Sequence, residues 1–279
     1  MTTINYIDKK LKNEFQNELF KAALSNLEDQ SNRLRLNNFA YAIRELTRHI
    51  LHGLAPDSKV TKCNWFEVQT ENNKPTRHQR MKYAIQGGLS DNIIEEIGLY
   101  PEEILEEIKA LKDVVGSLSK YTHVNEESFG VEKTLADEFI DRVFERLKTF
   151  LIIIDDTREM VTSKLEEIVI ERVSDEAIFN SYENLYSLAP HFSMESAEIE
   201  DYKILSIDNE EIKFLVQGSI EIILEYGSNK DRWEGDGLEI PQNYSFETEV
   251  TFQISNNLEE TITRIEVEPF GVDISDWYE

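Results

Sequence analysis

Near residue 190 the spacing of the apolar residues changes from every three or four positions to every second position. The earlier spacing predicts amphipathic helices, whereas the alternation over residues 244–254 and the runs rich in Ile, Val and Tyr before it predict strands. We therefore expect an α+β protein with an N-terminal all-helical domain over residues 1–188. A small antiparallel β-rich domain over residues 193–279 should follow it. A chain of 279 residues can fold into two such domains.

Caps and breakers set the expected limits of each element, because Ser, Asp, Asn and Pro favour helix starts and Gly favours helix ends. The predicted helices are 5–30, 37–54, 77–86, 90–97, 101–121, 133–172 and one that starts at 174. The predicted strands are 202–207, 212–226, 244–254 and 261–267, with loops over 59–76 and 227–243. The run at 150–154 is apolar all round, which predicts deep packing or contact with a partner chain.

The net charge of −26 is distributed very unevenly along the chain. Residues 1–130 have a net charge of −2, and residues 131–279 have a net charge of −24. Within the first part, residues 31–82 contain 10 basic and 4 acidic residues, a net charge of +6. Because Lys and Arg displace counterions from phosphates, this basic segment is where we expect a nucleic acid to bind. The acidic remainder solvates the surface and disfavours indiscriminate binding.

Several classes of protein are excluded by what the sequence lacks. The single cysteine, Cys63, rules out a disulfide framework and a multi-cysteine zinc site, and it fits a reducing compartment. No run approaches the ~18 apolar residues of a membrane span, so we expect a cytoplasmic protein without a membrane partner. The sequence also has no P-loop, no Gly-rich dinucleotide turn, no GxSxG elbow and no HExxH, and we expect no cofactor.

The candidate catalytic residues lie on the helix predicted over residues 37–54 and are Arg44, Arg48, His49 and His52. A metal-free ribonuclease needs a base for the 2′-hydroxyl proton and a cation for the phosphorane, and His and Arg supply these. Arg48, His49 and His52 share one face with Glu45. Arg44 and His49 point about 140° apart on an ideal helix, so both reach one phosphate only if the helix distorts or a second protomer completes the site. The alternative is a solvated helix face with an Arg–Glu45 pair.

Two further basic clusters are candidates for nucleic-acid binding. The first is Arg77, His78, Arg80 and Lys82, at a helix start where the positive end of the dipole suits an anion. The second is Lys120 and His123, at a helix end where a protonated His is favoured. The alternatives are a basic surface that balances the acidic half of the chain, and a helix cap.

The predicted loop 227–243 and its borders contain Glu225, Asp231, Glu234, Asp236 and Glu239. Carboxylates of this kind bind hard cations such as calcium or magnesium. The spacing matches no loop with defined ligand positions, so we interpret the segment as solvated and predict no metal site.

Four stretches together resemble a family of bacterial proteins, the predicted nucleases associated with prokaryotic PIWI (Argonaute-like) proteins. The stretches are RLRLNNFAYAIRELTRHILHGLAP, RHQRMKYAIQGGLSD, KYTHVNEESFG and EYGSNKDRWEGDGLEIPQNYSFETEV. The resemblance implies a HEPN-like helical part and a role in defence against phages or plasmids. Arg44 and His49 match the Arg-x4–6-His signature of HEPN ribonucleases. Glu45 departs from it, because HEPN enzymes usually carry Asn, Asp or His directly after the Arg.

Two functions from different classes are consistent with the sequence. The first is a metal-independent, HEPN-like ribonuclease or nucleic-acid-binding effector of bacterial defence, with RNA as its partner, working as a homo-oligomer or with a defence-system protein. In that hypothesis Arg44 and Arg48 stabilise phosphate charge, His49 is the general base, and His52 or His123 is an accessory acid. The second is a non-enzymatic adaptor or sensor that binds a protein through its helices and its acidic β domain. A metal-dependent nuclease is a third, weaker hypothesis.

Overall fold

The computed structural model describes residues 2–180, 182–228, 230, 233 and 237–278. It confirms the α+β class, with helices in the N-terminal part and one antiparallel sheet in the C-terminal part. The chain divides into two units, Met1–Glu159 and Met160–Glu279. The predicted domain limits at residues 188 and 193 follow the change from helix to strand, and they stay a prediction.

Unit 1, Met1–Glu159, is helical. Its helices are α1 (Thr3–Lys10), α2 (Glu14–Glu28), α3 (Arg35–Leu54), α4 (Asp57–Val60), α5 (Arg77–Gln86), α6 (Asp91–Ile97) and α7 (Pro101–Thr122), followed by the first part of α8 (Lys133–Phe179). A capping box of Thr76 and Gln79 starts α5, and Gly87, with φ of 65°, ends it.

Helix α3 is central to unit 1, because it contacts α2, α5 and α7. The predicted apolar stripe is buried: Phe39, Ile43 and Leu46 are fully enclosed and Ile50 is nearly so. A buried hydrogen bond from the Asn37 side-chain Nδ2 to the carbonyl of Tyr121, 2.8 Å long, ties the start of α3 to the end of α7. The predicted helix 37–54 is thus confirmed, with a start two residues earlier.

Three predictions about the helical region are wrong in detail. Residues 5–30 form two helices, because the Asn13 side chain accepts from the Gln16 N–H and starts α2 afresh. No helix starts at residue 174, because Val169, Val173 and Ala177 continue the buried spacing of α8 to Phe179. The predicted loop 59–76 is confirmed from residue 61 onwards, after α4 ends at Val60. The apolar run 150–154 is only partly buried: Ile152 and Ile153 are half-exposed.

Unit 2, Met160–Glu279, contains the end of α8 and a four-stranded antiparallel sheet in the order β1-β2-β3-β4. The strands are β1 (His191–Ile207), β2 (Glu211–Tyr226), β3 (Leu238–Gln253) and β4 (Ile265–Val267), with α9 (Leu258–Ile262) between the last two and short 3₁₀ turns at Glu183–Ser187 and Ser275–Tyr278. The even-numbered apolar residues of β2 are buried, as the period of two requires: Ile212, Phe214, Val216, Ile220, Ile222 and Leu224.

Three strand limits differ from the prediction. Strand β1 begins at His191 and continues through the residues expected to precede the first strand. Strand β3 takes in residues 238–243 of the predicted acidic loop, because each of them pairs with a residue of β2. Of the predicted strand 261–267, residues 261–262 belong to α9 and residues 265–267 form β4, because the Asn257 side chain accepts from the Glu260 N–H and starts α9.

Gly218 leaves no space for a side chain where β2 pairs with both of its neighbours. An added Cβ would lie 2.8 Å from the Phe246 ring on β3 and closer still to the carbonyl oxygen of Glu198 on β1. We expect Gly218→Ala to lower the free energy of unfolding by about 1–3 kcal/mol, the usual cost of overpacking. Urea denaturation measures it, with Gly271→Ala as the control because a Cβ there meets nothing within 4 Å. Equal stability of the two variants would contradict the packing argument.

Candidate nucleic-acid interface

Three of the four candidate catalytic residues come together on the outer face of α3. The Arg48 guanidinium donates through Nε to Glu45 Oε2 at 2.9 Å, and its Nη2 lies 3.1 Å from His49 Nε2. An arginine only donates, so a hydrogen bond in this contact has His49 Nε2 as its acceptor. The His49 ring packs edge-on against Phe15 of α2, with 4.8 Å between ring centroids.

His52 is one turn further along the same face and is exposed. Its pKa lies below the ordinary value, chiefly through partial burial of the ring and then through the positive charge of Arg80, with smaller contributions from Arg48 and His49. A lowered pKa favours the neutral imidazole at pH 7. His52 is therefore better suited to accept a proton than to serve as the accessory acid that the sequence suggested.

Arg44 points to a different set of neighbours from His49, as the 140° rotation predicts. Its Nη1 lies 3.4 Å from the Thr122 hydroxyl at the end of α7. It is also close enough to Arg77, the first residue of α5, for its charge to lower the pKa of the Arg77 guanidinium, after the larger effect of burial. Neither arginine has a carboxylate partner among the residues that the structure describes. Two half-buried guanidinium groups on α3 and α5 thus interact unfavourably, with no carboxylate partner for either in the described part of the chain.

His78 follows Arg77 in the first turn of α5 and is half-buried. Its pKa is lowered first by burial and then by the charges of Lys112 on α7 and Lys82 one turn along α5. The junction of α3, α5 and α7 therefore presents cations from three helices beside the amino-terminal end of α5. Backbone N–H groups and the positive end of the dipole at such an end favour an anion.

Arg80 and Lys82, from the same predicted cluster, are engaged within the fold. The Arg80 side chain is 4% exposed, donates to the Ala55 carbonyl at 2.6 Å and forms an ion pair with Asp57. Lys82 binds the Asp91 carboxylate at 2.9 Å and lies 5.1 Å from the centre of the Trp65 ring. Their positive charges are balanced by carboxylates, which sets them apart from Arg44 and Arg77.

The second predicted basic cluster lies at the end of α7. Lys120 is exposed and its ammonium is 3.8 Å from Glu127. His123 is the exposed C-cap residue of α7, and its carbonyl accepts from the Ser128 hydroxyl at 2.9 Å. No contact between described side chains joins His123 to His49 or to His78. The four imidazoles of unit 1 therefore do not form one site within the described part of a single chain.

The predicted acidic loop is only partly described. Asp231, Glu234 and Asp236 lie outside the described residues, while Glu225 and Glu239 face each other across β2 and β3. Within the described ranges, no group of three or more His, Cys, Asp or Glu side chains is arranged to hold a metal ion. No described helix is both long enough and apolar enough to pass through a membrane.

Two residues of α7 that interact with Arg44 or His78 have no local signal in the sequence. Lys112 lies in the middle of a long helix, and Thr122 is one of many threonines. Only the packing of α7 against α3 and α5 brings them to Arg44 and His78. The rotation per residue of an ideal helix predicts the face of α7 on which each residue lies. It does not predict which neighbouring helix packs against that face.

The charge of the two units differs sharply. Unit 1 has 22 Lys and Arg residues against 27 Asp and Glu residues, whereas unit 2 has 7 against 28. Their net charges are therefore −5 and −21. The helical unit thus contains the arginines that have no described carboxylate partner, and the sheet unit has most of the negative charge.

Comparison with models of known protein families identifies the family of this chain. Residues 8–147 match a family model described as a predicted pPIWI-associating nuclease, and residues 154–278 match a second model with the same description. The first match alone covers half of the chain. The chain therefore belongs to the predicted pPIWI-associating nucleases. Searches of curated proteins and of solved structures gave no significant match.

Proposed function

We propose that this family member is a metal-independent, HEPN-like ribonuclease in a pPIWI-linked system of defence against phages or plasmids, and that its helical unit binds the RNA. The observation that carries the proposal is that Arg44 and Arg77 lie on packed helices, close enough for their charges to repel, and have no carboxylate partner among the described residues. Bringing two guanidinium groups together costs free energy in the absence of an anion. A phosphate between them would remove that cost and accept hydrogen bonds from both.

The chemistry is assigned to Arg48, His49 and His52, the exposed row on α3. His49 Nε2 lies 3.1 Å from Arg48 Nη2, so the imidazole is in contact with a group that itself binds phosphates. When an RNA phosphate binds the Arg48 guanidinium, His49 Nε2 loses its contact with Arg48. It can then remove the proton of the 2′-hydroxyl. The 2′-oxygen then attacks the phosphorus, and Arg48 stabilises the charge that develops on the phosphorane. The P–O5′ bond breaks, and the 5′-oxygen takes up a proton from solvent. Glu45 competes for Arg48 and keeps it in place when no RNA is bound.

A homodimer is part of the proposal, because the two halves of the Arg-x4–6-His motif separate within one chain. Arg44 contacts α7 and His49 contacts α2, so a single protomer offers the phosphate-binding arginines and the imidazole on different sides of α3. Two copies that place the α3 helices side by side would set Arg44 of one copy beside His49 of the other.

A second candidate function, an adaptor, is favoured by unit 2. The 120 residues of unit 2 have a net charge of −21, and 17-residue β1 is an edge strand with one unpaired side. Three register shifts and several acidic residues keep such an edge from pairing at random. The family description includes association with pPIWI, so we propose that unit 2 offers a basic protein partner its acidic surface.

Cleavage and binding of RNA in the presence of EDTA test the first proposal. We expect wild-type protein to cleave single-stranded RNA in chelator and to bind it with an affinity that falls as salt rises. Replacing Arg44 or Arg77 with Gln should weaken binding for all sequences and reduce the slope of log K against log salt by about 0.7 for each lost phosphate contact. Binding is measured by fluorescence anisotropy with salt titration.

Arg172→Gln is the matched control, because Arg172 is an exposed residue of α8 in unit 2. Its salt slope should equal that of the wild type. Identical slopes for the Arg44, Arg77 and Arg172 variants would remove the arginine pair from RNA binding. Stoichiometric capture of a protein partner without any RNA cleavage would select the adaptor.

A further inference from the structure

A cavity of about 310 Å³ lies inside unit 1, away from the residues discussed so far. It is bounded by the loop between α1 and α2, by the last turn of α3 and by the part of α8 that belongs to unit 1. Ile and Leu side chains from α3 and α8 form an apolar wall: Ile50, Leu54, Leu151 and Ile154. The volume is at the lower end of the range for small-molecule sites, about 300–1,000 Å³.

Three cations and one carboxylate form the polar side of this cavity. Lys10, Lys12 and Arg158 line it together with Asp155, and Arg158 Nη1 also donates to the Ile154 carbonyl at 2.8 Å. The Asp155 carboxylate is already bound, because Oδ2 accepts from Lys10 Nζ at 2.6 Å and from the Tyr6 hydroxyl at 2.5 Å. Lys12 has no carboxylate partner among the described residues. The lining groups together have a charge of +2, which an anionic group would balance.

Gln16 places a hydrogen-bond donor in the same cavity. The side chain is 3% exposed, and its Oε1 accepts from the Lys12 backbone N–H at 2.8 Å, which fixes the orientation of the amide. Its Nε2 has no acceptor among the described residues. A Cβ added at Gly53, another lining residue, would lie 4.0 Å from Nε2, so the donor faces the cavity between α2 and α3. The amide can therefore donate to an acceptor on a ligand in the cavity.

Gly53 keeps the cavity open. Glycine is unfavourable inside a helix by about 1 kcal/mol relative to alanine, yet it occupies the last turn of α3. A larger side chain here would extend toward Gln16 Nε2 and fill the space beside the apolar wall.

We propose that this cavity binds a nucleoside phosphate. The phosphate would lie between Lys10, Lys12 and Arg158, the nucleoside would pack on the Ile and Leu wall, and Gln16 Nε2 would donate to an acceptor on the base or sugar. An apolar wall opposite a cationic rim fits a ligand that has a flat apolar body and a charged end, and it fits inorganic phosphate poorly. The proposal does not depend on RNA cleavage by α3.

Calorimetric titration of the full chain with adenosine 5′-monophosphate tests this site. We expect saturable binding at one site per chain, with adenosine and with inorganic phosphate each binding at least about tenfold more weakly, because each lacks one half of the interactions. Lys12→Gln should weaken binding about tenfold, and Gly53→Leu should abolish it. Lys9→Gln is the matched control, since Lys9 is exposed on α1 and does not line the cavity.

Competition identifies the source of the nucleotide. If the cavity binds the 5′ ends of RNA strands, a short RNA with a 5′-phosphate should displace the mononucleotide, and the same RNA without the phosphate should not. If neither RNA displaces the mononucleotide, the site is assigned to free nucleotides. Inorganic phosphate that binds as tightly as the nucleotide would overturn the nucleoside part of the proposal. Absence of binding at millimolar nucleotide, or equal binding by the Lys9, Lys12 and Gly53 variants, would overturn it entirely. Circular dichroism establishes that Gly53→Leu is folded, and Lys12→Gln provides the test if it is not.

Discussion

His49→Ala should reduce RNA cleavage in EDTA by about 10²- to 10⁴-fold, the usual contribution of a general base. The physical reason is that the His49 imidazole lies against Arg48, the group assigned to the phosphate, and is therefore placed to take the 2′-hydroxyl proton. The ring lies at the surface of α3, so its removal should cost little stability beyond the contact with Phe15. Cleavage is measured under single-turnover conditions with a fluorescent RNA.

His191→Ala is the matched control for this experiment. His191 is the exposed first residue of β1 in unit 2 and has no proposed role. The control should cleave at the wild-type rate. Equal rates for the His49 and His191 variants would remove His49 from the mechanism, whatever the effect on binding.

Glu45→Gln gives an independent measure of the same arrangement. The Glu45 carboxylate binds Arg48 Nε at 2.9 Å and competes with RNA phosphate for the guanidinium. Replacing it with an uncharged amide should therefore tighten RNA binding, with most of the gain at low salt where the competing charge matters most. Weaker binding by this variant would mean that Glu45 positions Arg48 for the phosphate instead of withholding it.

Much of the fold follows from local signals, because the caps and the apolar spacing agree with the packing. The stripe on α3, the Pro101 start of α7 and the Gly87 end of α5 lie where the sequence predicts them. The failures occur where two signals compete. Asn13 starts a new helix within the continuous apolar pattern of residues 5–30. Ser174 is of a residue type that often caps helices, but the buried residues around it keep α8 continuous.

The candidate site was predictable only as far as single helices determine it. The rotation of an ideal helix predicts that Arg48 and His49 share neighbours while Arg44 does not, and the contacts with Phe15 and Thr122 agree. The sequence could not predict that Arg80 is paired within the fold while Arg77 has no carboxylate partner among the described residues. They are three residues apart on one helix, and what separates them is the Asp57 carboxylate and the Ala55 carbonyl, which only tertiary packing brings to α5.

Arg80→Met should destabilise the protein by about 2–4 kcal/mol, whereas Arg77→Met should change its free energy of unfolding by less than about 0.5 kcal/mol. Methionine keeps most of the packing of either side chain and removes only the charge and the donors. In the Arg80 variant the carbonyl of the fully buried Ala55 loses its donor and Asp57 loses its partner. The Arg77 guanidinium has no such partner, and its loss relieves repulsion with Arg44. Urea denaturation at pH 7 measures both values.

The pH dependence of the same two variants separates the ion pair from packing. The hydrogen bond from Arg80 lowers the pKa of Asp57 below its ordinary value. A carboxyl with a depressed pKa in the folded state stabilises the protein above the pKa of the unfolded state, near 4, and this stabilisation is lost as pH falls through the folded value. The stability difference between wild type and Arg80→Met should therefore shrink as the pH is lowered below about 4. A difference that is independent of pH, or an equal loss in the Arg77 variant, would assign the effect to packing and remove the distinction between a structural and a binding arginine on α5.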